Sequence, residues 1–266
     1  MIDEILRYGP AFLLIAVRAL AIIETAPLLS SDAIPQMVKL ALAGFAAYAA
    51  FPSSLARTWD LSPYGLSFIF LVLAEGIIGV IIGFFLTLIF SAFTTAGQFF
   101  SLQMGFGASE TFDPLSQIEN PLLGQYLNLV AMLVFLSIGG FQELFLGGFW
   151  RSVQSLNIVD LVEGRDAVMT LLLKGLSGLF LDAMTLSMPI LGTLFLTSLA
   201  TGLISKAAPQ INILSEGFPV SITVAFILIF ATLPFMVDLF SRVVGVGFET
   251  IEGMYIQLGR SLGETE

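Results

Sequence analysis

Several charged residues lie inside long apolar stretches of this sequence, where their side chains could do chemistry. Glu24 and Lys174 could lie near the ends of their stretches, and the candidates for a functional role are Arg18, Glu75, Asp182 and Asp238. A charge within a membrane helix is costly, so an ionisable side chain there often belongs to an ion path or a proton relay. A buried salt bridge or hydrogen bond between helices explains the same residues equally well. The sequence leaves both interpretations open.

Most other chemistry is excluded by residue types that the chain lacks. The 266 residues include no histidine and no cysteine, which removes the commonest general base and transition-metal ligand together with thiolate catalysis and disulfides. Acidic residues outnumber basic ones by 20 to 10. This balance disfavours nucleic acid as a partner, because Lys and Arg are needed to neutralise phosphates. We therefore expect no enzyme activity, no catalytic residue, no metal site and no cofactor.

The composition indicates what surrounds the chain. Hydrophobic residues make up 57% of the sequence and charged residues only 11%, whereas soluble domains carry about 25% charged residues. So few charges cannot cover a water-facing surface of this size. Membrane lipid or partner subunits must therefore cover most of the protein.

Six stretches are long and apolar enough to cross a bilayer as helices, since a crossing takes about 20 mostly apolar residues. They cover approximately residues 8–29, 37–55, 66–96, 122–149, 168–204 and 218–244. We predict an all-α integral membrane protein with about six long apolar helices, packed as helical hairpins.

Glycine and proline are expected to break or kink some of these helices. The positions are Gly139-Gly140 and Gly147-Gly148 in the fourth stretch, Pro189 in the fifth and Pro234 in the sixth. No charged or Ser-rich linker divides the chain, so residues 1–266 are predicted to form one membrane-embedded domain. Residues 246–266 carry apolar side chains at helical spacing and are expected to form a short amphipathic tail.

The longest break in the apolar pattern runs from Gly97 to Pro121 and combines glycines with acidic and aromatic residues. Gly105 and Gly107 give the backbone freedom, and Asp113-Pro114 is a turn signal. The break also holds too many large apolar side chains for an ordinary solvated loop. An apolar loop on glycine hinges could cover a pore or cavity and later move. The alternative is a loop that packs against the ends of its own helices.

A second break lies between the fifth and sixth apolar stretches. Its polar and turn-forming residues are Lys206, Pro209, Gln210, Asn212, Glu216 and Pro219. A tight hairpin turn would be shorter, and the extra amide and carboxylate groups suggest a surface for another protein. A solvated turn between two helices is the alternative.

Small residues recur at a spacing that favours close helix packing. Gly79 and Gly83 form a Gly-x-x-x-Gly pair in the third stretch, and such pairs allow the backbones of two helices to approach in lipid. This pattern predicts assembly of helices without indicating which helices meet.

Short segments at and near the breaks form an ordered set. They are Ala26-Pro27-Leu28-Leu29, Ile34-Pro35, Val38-Lys39-Leu40-Ala41-Leu42-Ala43, Ala96-Gly97, Leu102-Gln103-Met104-Gly105, Phe112-Asp113-Pro114, Ala207-Ala208-Pro209-Gln210 and Gly217-Phe218-Pro219. Together they resemble the FliR family of flagellar biosynthesis proteins, with virulence-secretion homologues as more distant relatives. The resemblance covers about residues 7–245 and agrees in helix count and spacing.

This resemblance implies a subunit of the type III export gate in the bacterial inner membrane, at the base of the flagellum. In that family one such subunit joins FliP-like and FliQ-like partners in a closed helical pore for unfolded flagellar subunits. The resemblance places a pore plug after the third long helix. The plug residues are Gly105, Phe106, Gly107, Phe112, Asp113, Pro114 and Asn120.

The resemblance also implies that the second break lies near an FlhB-like partner and the pore entrance. Glu216 departs from the family pattern, in which an apolar residue is expected at this position.

Two other functions fit the composition. An autonomous proton-coupled transporter would need Glu75, Asp182 and Asp238 to converge at the middle of the bilayer, usually beside broken helices in repeated halves. No internal repeat is visible in the sequence. A helical scaffold without transport is the other possibility.

Overall fold

The computed structural model describes residues 2–54, 66–105, 122–156, 165–208 and 213–260. These residues form helices and turns without a β-strand, which confirms the all-α fold. The helices are α1 (Ile2–Thr25), α2 (Gln36–Ser54), α3 (Leu66–Met104), α4 (Leu122–Ser137), α5 (Gly140–Glu143), a π-helix (Leu144–Trp150), α6 (Arg151–Ser155), α7 (Arg165–Ala207) and α8 (Ile213–Arg260).

Several of these helices are long and apolar enough to span a membrane, which supports an integral membrane protein. Four qualify within the described residues, in α1, α3, α7 and α8. A fifth span results if α4 and the helical run of Gly140–Ser155 are counted as one bent span. The predicted number of about six is thus approximate, because α2 forms a helix but is not among these spans.

The bent span confirms the predicted interruption of the fourth apolar stretch. Helix α4 ends at Ser137 and the next helix begins at Gly140. Gly139, at the bend, has a φ of 76°, a conformation that residues with a side chain adopt only at a cost. Gly147 and Gly148 lie within the π-helix. We call Gly140–Leu156, after the bend, the short limb.

Two predicted helix ends differ from the structure. Helix α3 continues past Ala96 to Met104. At Gly97, the absence of a side chain lets α4 pack directly against the α3 backbone. A Cβ at position 97 would lie 2.5 Å from the Cα atom of Gly124. Helix α8 continues to Arg260, so residues 246–260 extend the last long helix instead of forming a separate short tail. Phe248, Ile251, Met254 and Tyr255 are buried along this extension.

The other predicted features of the long helices remain open. Pro189 lies inside α7 and Pro234 inside α8, and kinks at these prolines stay a prediction. The described residues divide into two compact units: Met1–Leu88 with Gly139–Leu176 and Val244–Glu266, and Ile89–Ile138 with Ser177–Val243. We call them unit 1 and unit 2. The single domain over residues 1–266 stays a prediction.

In unit 1, helices α1 and α2 form an antiparallel hairpin. The ring centroids of Tyr8 and Phe51 lie 6.1 Å apart at one end. At the other end, the Nζ atom of Lys39 donates to an Oε2 atom of Glu24 at 3.0 Å and to the carbonyl of Ser30 at 3.1 Å. These contacts hold the turn between the two helices.

In unit 2, four phenylalanines fasten α3 to α4 and α8. The ring of Phe90 lies 5.4 Å from the rings of both Phe135 and Phe240, and Phe93 lies 4.6 Å from Phe240. All three ring pairs meet edge to face, the geometry that aromatic quadrupoles favour. This cluster fixes the part of α3 that leads to the predicted plug.

Candidate functional site

The predicted plug begins at the end of α3, and Gly105 is its only residue within the described part of the chain. Phe106, Gly107, Phe112, Asp113, Pro114 and Asn120 lie outside the described residues. The role of these residues as a plug stays a prediction. The geometry at Gly105 nevertheless defines where the segment starts.

Gly105 ends α3 in a conformation that suits glycine. Its N–H donates to the carbonyl of Leu102 at 3.2 Å, and its φ is 86°. The ring of Phe218, from the first turns of α8, occupies the space that a Cβ at position 105 would need. The first residue of the predicted plug therefore packs against the helix that follows the second predicted break.

Replacing Gly105 with alanine is expected to lower the thermal midpoint of the purified chain in detergent. The left-handed conformation costs an alanine about 1–2 kcal/mol, and its Cβ would also collide with Phe218. Adding Phe218→Ala should remove the collision and leave the backbone strain. Gly192→Ala is the matched control, since nothing lies within 4 Å of a Cβ at that helical position. A Gly105→Ala chain as stable as the control would contradict this account.

The second predicted break is shorter than the sequence indicated. Lys206 lies in the last turn of α7, whereas Glu216 and Pro219 lie within α8. Pro219 removes only one backbone donor, and membrane helices tolerate this loss where neighbouring groups satisfy the freed carbonyl. Pro209, Gln210 and Asn212 lie outside the described residues. A partner-facing role for this segment stays a prediction.

Two of the four predicted intramembrane charges form a buried ion pair in unit 1. The Nε atom of Arg18 donates to Oε2 of Glu75 at 2.5 Å. Arg18 is 1% exposed and Glu75 is 3% exposed. The pair joins α1 to α3, so Glu75 has a structural partner, which was one of the two interpretations that the sequence left open.

The rest of the Arg18 guanidinium contacts the end of the short limb. Nη1 donates to the carbonyl of Ser152 at 2.5 Å and contacts its Oγ at 3.3 Å, and Nη2 donates to the carbonyl of Leu156 at 3.2 Å. The carbonyl of Ser152 also accepts the N–H of Leu156 at 2.9 Å, so Arg18 is a second donor to it. Carbonyls at the end of a helix carry partial negative charge, and Arg18 thus contacts the end of the short limb while it neutralises Glu75.

The other two predicted charges lie in unit 2. Arg242 donates to Asp238 at 2.5 Å on one face of α8, and both side chains are more than half exposed. Asp182 is partly buried in α7. Each of these two acids is thus more accessible than Glu75 within the single chain.

Gly79 and Gly83 lie where α3 packs against α1. A Cβ at position 79 would lie 2.5 Å from the carbonyl oxygen of Arg18 and 2.7 Å from the Cβ of Ala21. A Cβ at position 83 would overlap the side chain of Thr25. The hydroxyl of Thr87 donates to the Thr25 carbonyl at 2.8 Å. The close approach that the glycines allow therefore lies next to the Arg18–Glu75 pair.

Sequence reasoning missed the groups that complete this site. The acceptors at Ser152 and Leu156 are mainly backbone carbonyls. Every residue has such a carbonyl, so the residue type does not indicate which one will accept a hydrogen bond. Tyr255 also belongs to the site: its buried hydroxyl donates to the carbonyl of Gly148 at 2.8 Å. A tyrosine on the apolar face of the predicted tail was the available signal, because a buried hydroxyl usually has a hydrogen-bond partner.

The described residues show large apolar surfaces and no cluster of ligands for a metal ion. No group of three or more His, Cys, Asp or Glu side chains in these residues comes together to hold one. Phe70, Leu73 and Ile77 on α3 are each more than half exposed. In unit 2, an apolar cavity of about 490 Å³ opens between α4 and α8. Lipid or other protein chains must cover such surfaces.

Comparison with known proteins connects these features to a family. The model of the family described as bacterial export proteins, family 1, matches residues 10–246. Flagellar biosynthetic protein FliR of Bacillus subtilis is 27% identical over 97% of this chain and 100% of its own length. FliR of Escherichia coli is 33% identical, over 85% of this chain and 87% of its own length.

A further relative carries another name. Surface presentation of antigens protein SpaR of Shigella flexneri is 30% identical over 60% of this chain and 61% of its own length. The FliR match at 33% identity covers most of both chains, and the family model covers nearly all of the described helices. The chain therefore belongs to the bacterial export proteins of family 1, the family that the ordered segments of its sequence indicated.

Proposed function

We propose that the chain is a core subunit of the flagellar type III export gate and forms part of the closed pore for unfolded flagellar subunits. The observation that carries this proposal is the family match, which runs from α1 into α8 without interruption. The exposed apolar side chains of α3 support the proposal, because a helix with such side chains is expected to be covered by other subunits. The gate would lie in the bacterial inner membrane, within the flagellar basal body.

The proposal includes specific partners. FliP-like and FliQ-like subunits would cover the exposed apolar helix faces together with membrane lipid, and an FlhB-like protein would contact the segment between α7 and α8. The chain would act without enzymatic chemistry, as a wall of the pore.

The predicted plug has a structural basis at one end. Gly105 and Phe218 anchor the start of the segment on α8, and the phenylalanine cluster holds α3 behind it. A loop that starts from a fixed point can move without disturbing the helices that carry it. We propose that residues 105–120 close the pore in this way.

Co-purification tests the proposed assembly. A tagged chain, extracted from its own cells in mild detergent, is expected to retain two kinds of small apolar partner subunit, and the mass of the intact complex gives their numbers. A Phe70→Glu/Ile77→Glu chain should lose partners, since two exposed apolar positions on α3 then carry charge. Glu249→Gln, at an exposed acid, is the control. A parent chain that purifies alone would overturn the proposed assembly.

The alternative of an autonomous proton-coupled transporter finds no support among the relatives. It required Glu75, Asp182 and Asp238 to converge at the middle of the bilayer and act together. Glu75 is instead neutralised by Arg18, and Asp238 pairs with Arg242.

A further inference from the structure

The short limb of the bent span is held by polar side chains from both ends of the chain. Arg18, in α1, contacts the limb at its last carbonyls, and Tyr255, near the end of α8, contacts it in the π-helix. Helix α1, the limb and the part of α8 after residue 243 all belong to unit 1. The limb therefore receives hydrogen bonds at two separate points along its length.

The contact from α8 involves two residues on one helix face. Tyr255 is 3% exposed, and its hydroxyl donates to the carbonyl of Gly148. Glu252, three residues earlier, forms an ion pair with Arg151 of the limb. Phe248, one further turn back, packs near Gly147. Residues 248–255 thus follow the limb along two turns of α8.

Apolar packing holds part of the limb, because Leu144, Phe149 and Val153 are each at most 2% exposed. Directly before the limb, nothing lies within 4 Å of a Cβ at Gly139. A short isolated helix is marginal on its own, and Gly147 and Gly148 remove two side chains that would otherwise pack. π-helical turns are rare and occur mostly as single turns inside longer α-helices.

We propose that Arg18 and residues 248–255 of α8 form one lock that fixes the short limb against α1 and α3. Arg18 holds the end of the limb, and Tyr255 holds its π-helix. The α8 half of the lock lies beyond residue 246, where the family match ends. The end of α8 is therefore a working part of the bent span in this chain and not a dispensable extension.

The absence of cysteine from the chain allows a direct test. Val153, on the limb, is 2% exposed, so a Val153→Cys thiol should react slowly with a small maleimide in the purified protein. Once the limb detaches, the same thiol should react faster. Gln154→Cys, at the exposed neighbouring position, reports whether the reagent reaches this region and should react quickly in every background.

Two changes remove the contacts of the lock, one on the α8 side and one on the α1 side. In the Val153→Cys chain, Tyr255→Phe should raise the labelling rate about fivefold, the factor that one hydrogen bond of about 1 kcal/mol supplies. The pair Arg18→Met with Glu75→Leu should raise it at least tenfold. Changing both partners avoids leaving a buried charge, so this chain is expected to fold. Tyr48→Phe, on an exposed face of α2, and Arg165→Gln, at an exposed arginine, should change nothing.

The results separate a lock from general packing. Faster labelling in both lock variants, with both controls unchanged, supports the proposal. An unchanged rate in the Arg18→Met/Glu75→Leu chain would show that Arg18 does not hold the limb and would overturn it. An unchanged rate in the Tyr255→Phe chain would remove α8 from the lock, which overturns the proposal equally. These measurements use the isolated chain, so they stand whether or not the chain forms a pore.

Discussion

A chain that carries Glu75→Leu is expected to lose most of its folded population, because the change leaves Arg18 buried without a counter-ion. Breaking a buried ion pair by removing one partner costs about 3–5 kcal/mol, and Arg18 is 1% exposed. The carbonyls of Ser152 and Leu156 still accept its hydrogen bonds but carry no full charge. The yield of monodisperse protein in mild detergent and its thermal midpoint measure the loss.

The double variant decides whether charge is the cause. Arg18→Met together with Glu75→Leu fills similar volume without any charge, so we expect it to recover most of the yield that Glu75→Leu loses. Asp166→Asn is the matched control, since this acid is 98% exposed at the start of α7 and contributes less than about 1 kcal/mol there. If the double variant is as unstable as Glu75→Leu, packing around position 75 and not the unpaired charge explains the effect.

The helices of this protein could be predicted from the sequence because a membrane imposes a simple rule. Every backbone group in lipid must be satisfied within its own helix, so long apolar stretches became helices almost wherever they occurred. Helix ends followed the rule less well. Gly97 and Pro219 both signal a break, yet α3 and α8 run through them, because contacts with other elements decide whether a weak helix former stays helical.

The candidate site was predicted in its residue types but not in its connections. Arg18 and Glu75 stood out as charges in apolar stretches, whereas their pairing across 57 residues of sequence left no trace in either segment. The carbonyl acceptors of Ser152 and Leu156 were beyond prediction, since every residue offers the same backbone group. The glycine pairs at positions 139–140 and 147–148 were informative because backbone freedom is a property of glycine itself.

Replacing residues 105–120 by a glycine-serine linker of equal length is expected to leave the complex assembled and make the membrane leaky. The linker keeps the chain connected between α3 and α4, so the helix contacts at Phe90, Phe135 and Gly97 should persist. It removes the large apolar side chains that would exclude water and ions from the pore. Uptake of a membrane-impermeant dye, and growth at raised salt, measure the leak in cells that carry the variant.

The control for this replacement changes the turn between α1 and α2, which lies outside the predicted plug. Residues 31–33 are exposed between α1 and α2, and converting them to glycine and serine should leave both assembly and dye uptake unchanged. Co-purification of partner subunits must be equal in the two variants for the comparison to hold. If the linker chain assembles, leaks nothing and no longer exports flagellar subunits, residues 105–120 serve export by another route and the plug is wrong. Leakage without loss of assembly would place the barrier in this segment, anchored where Gly105 meets Phe218.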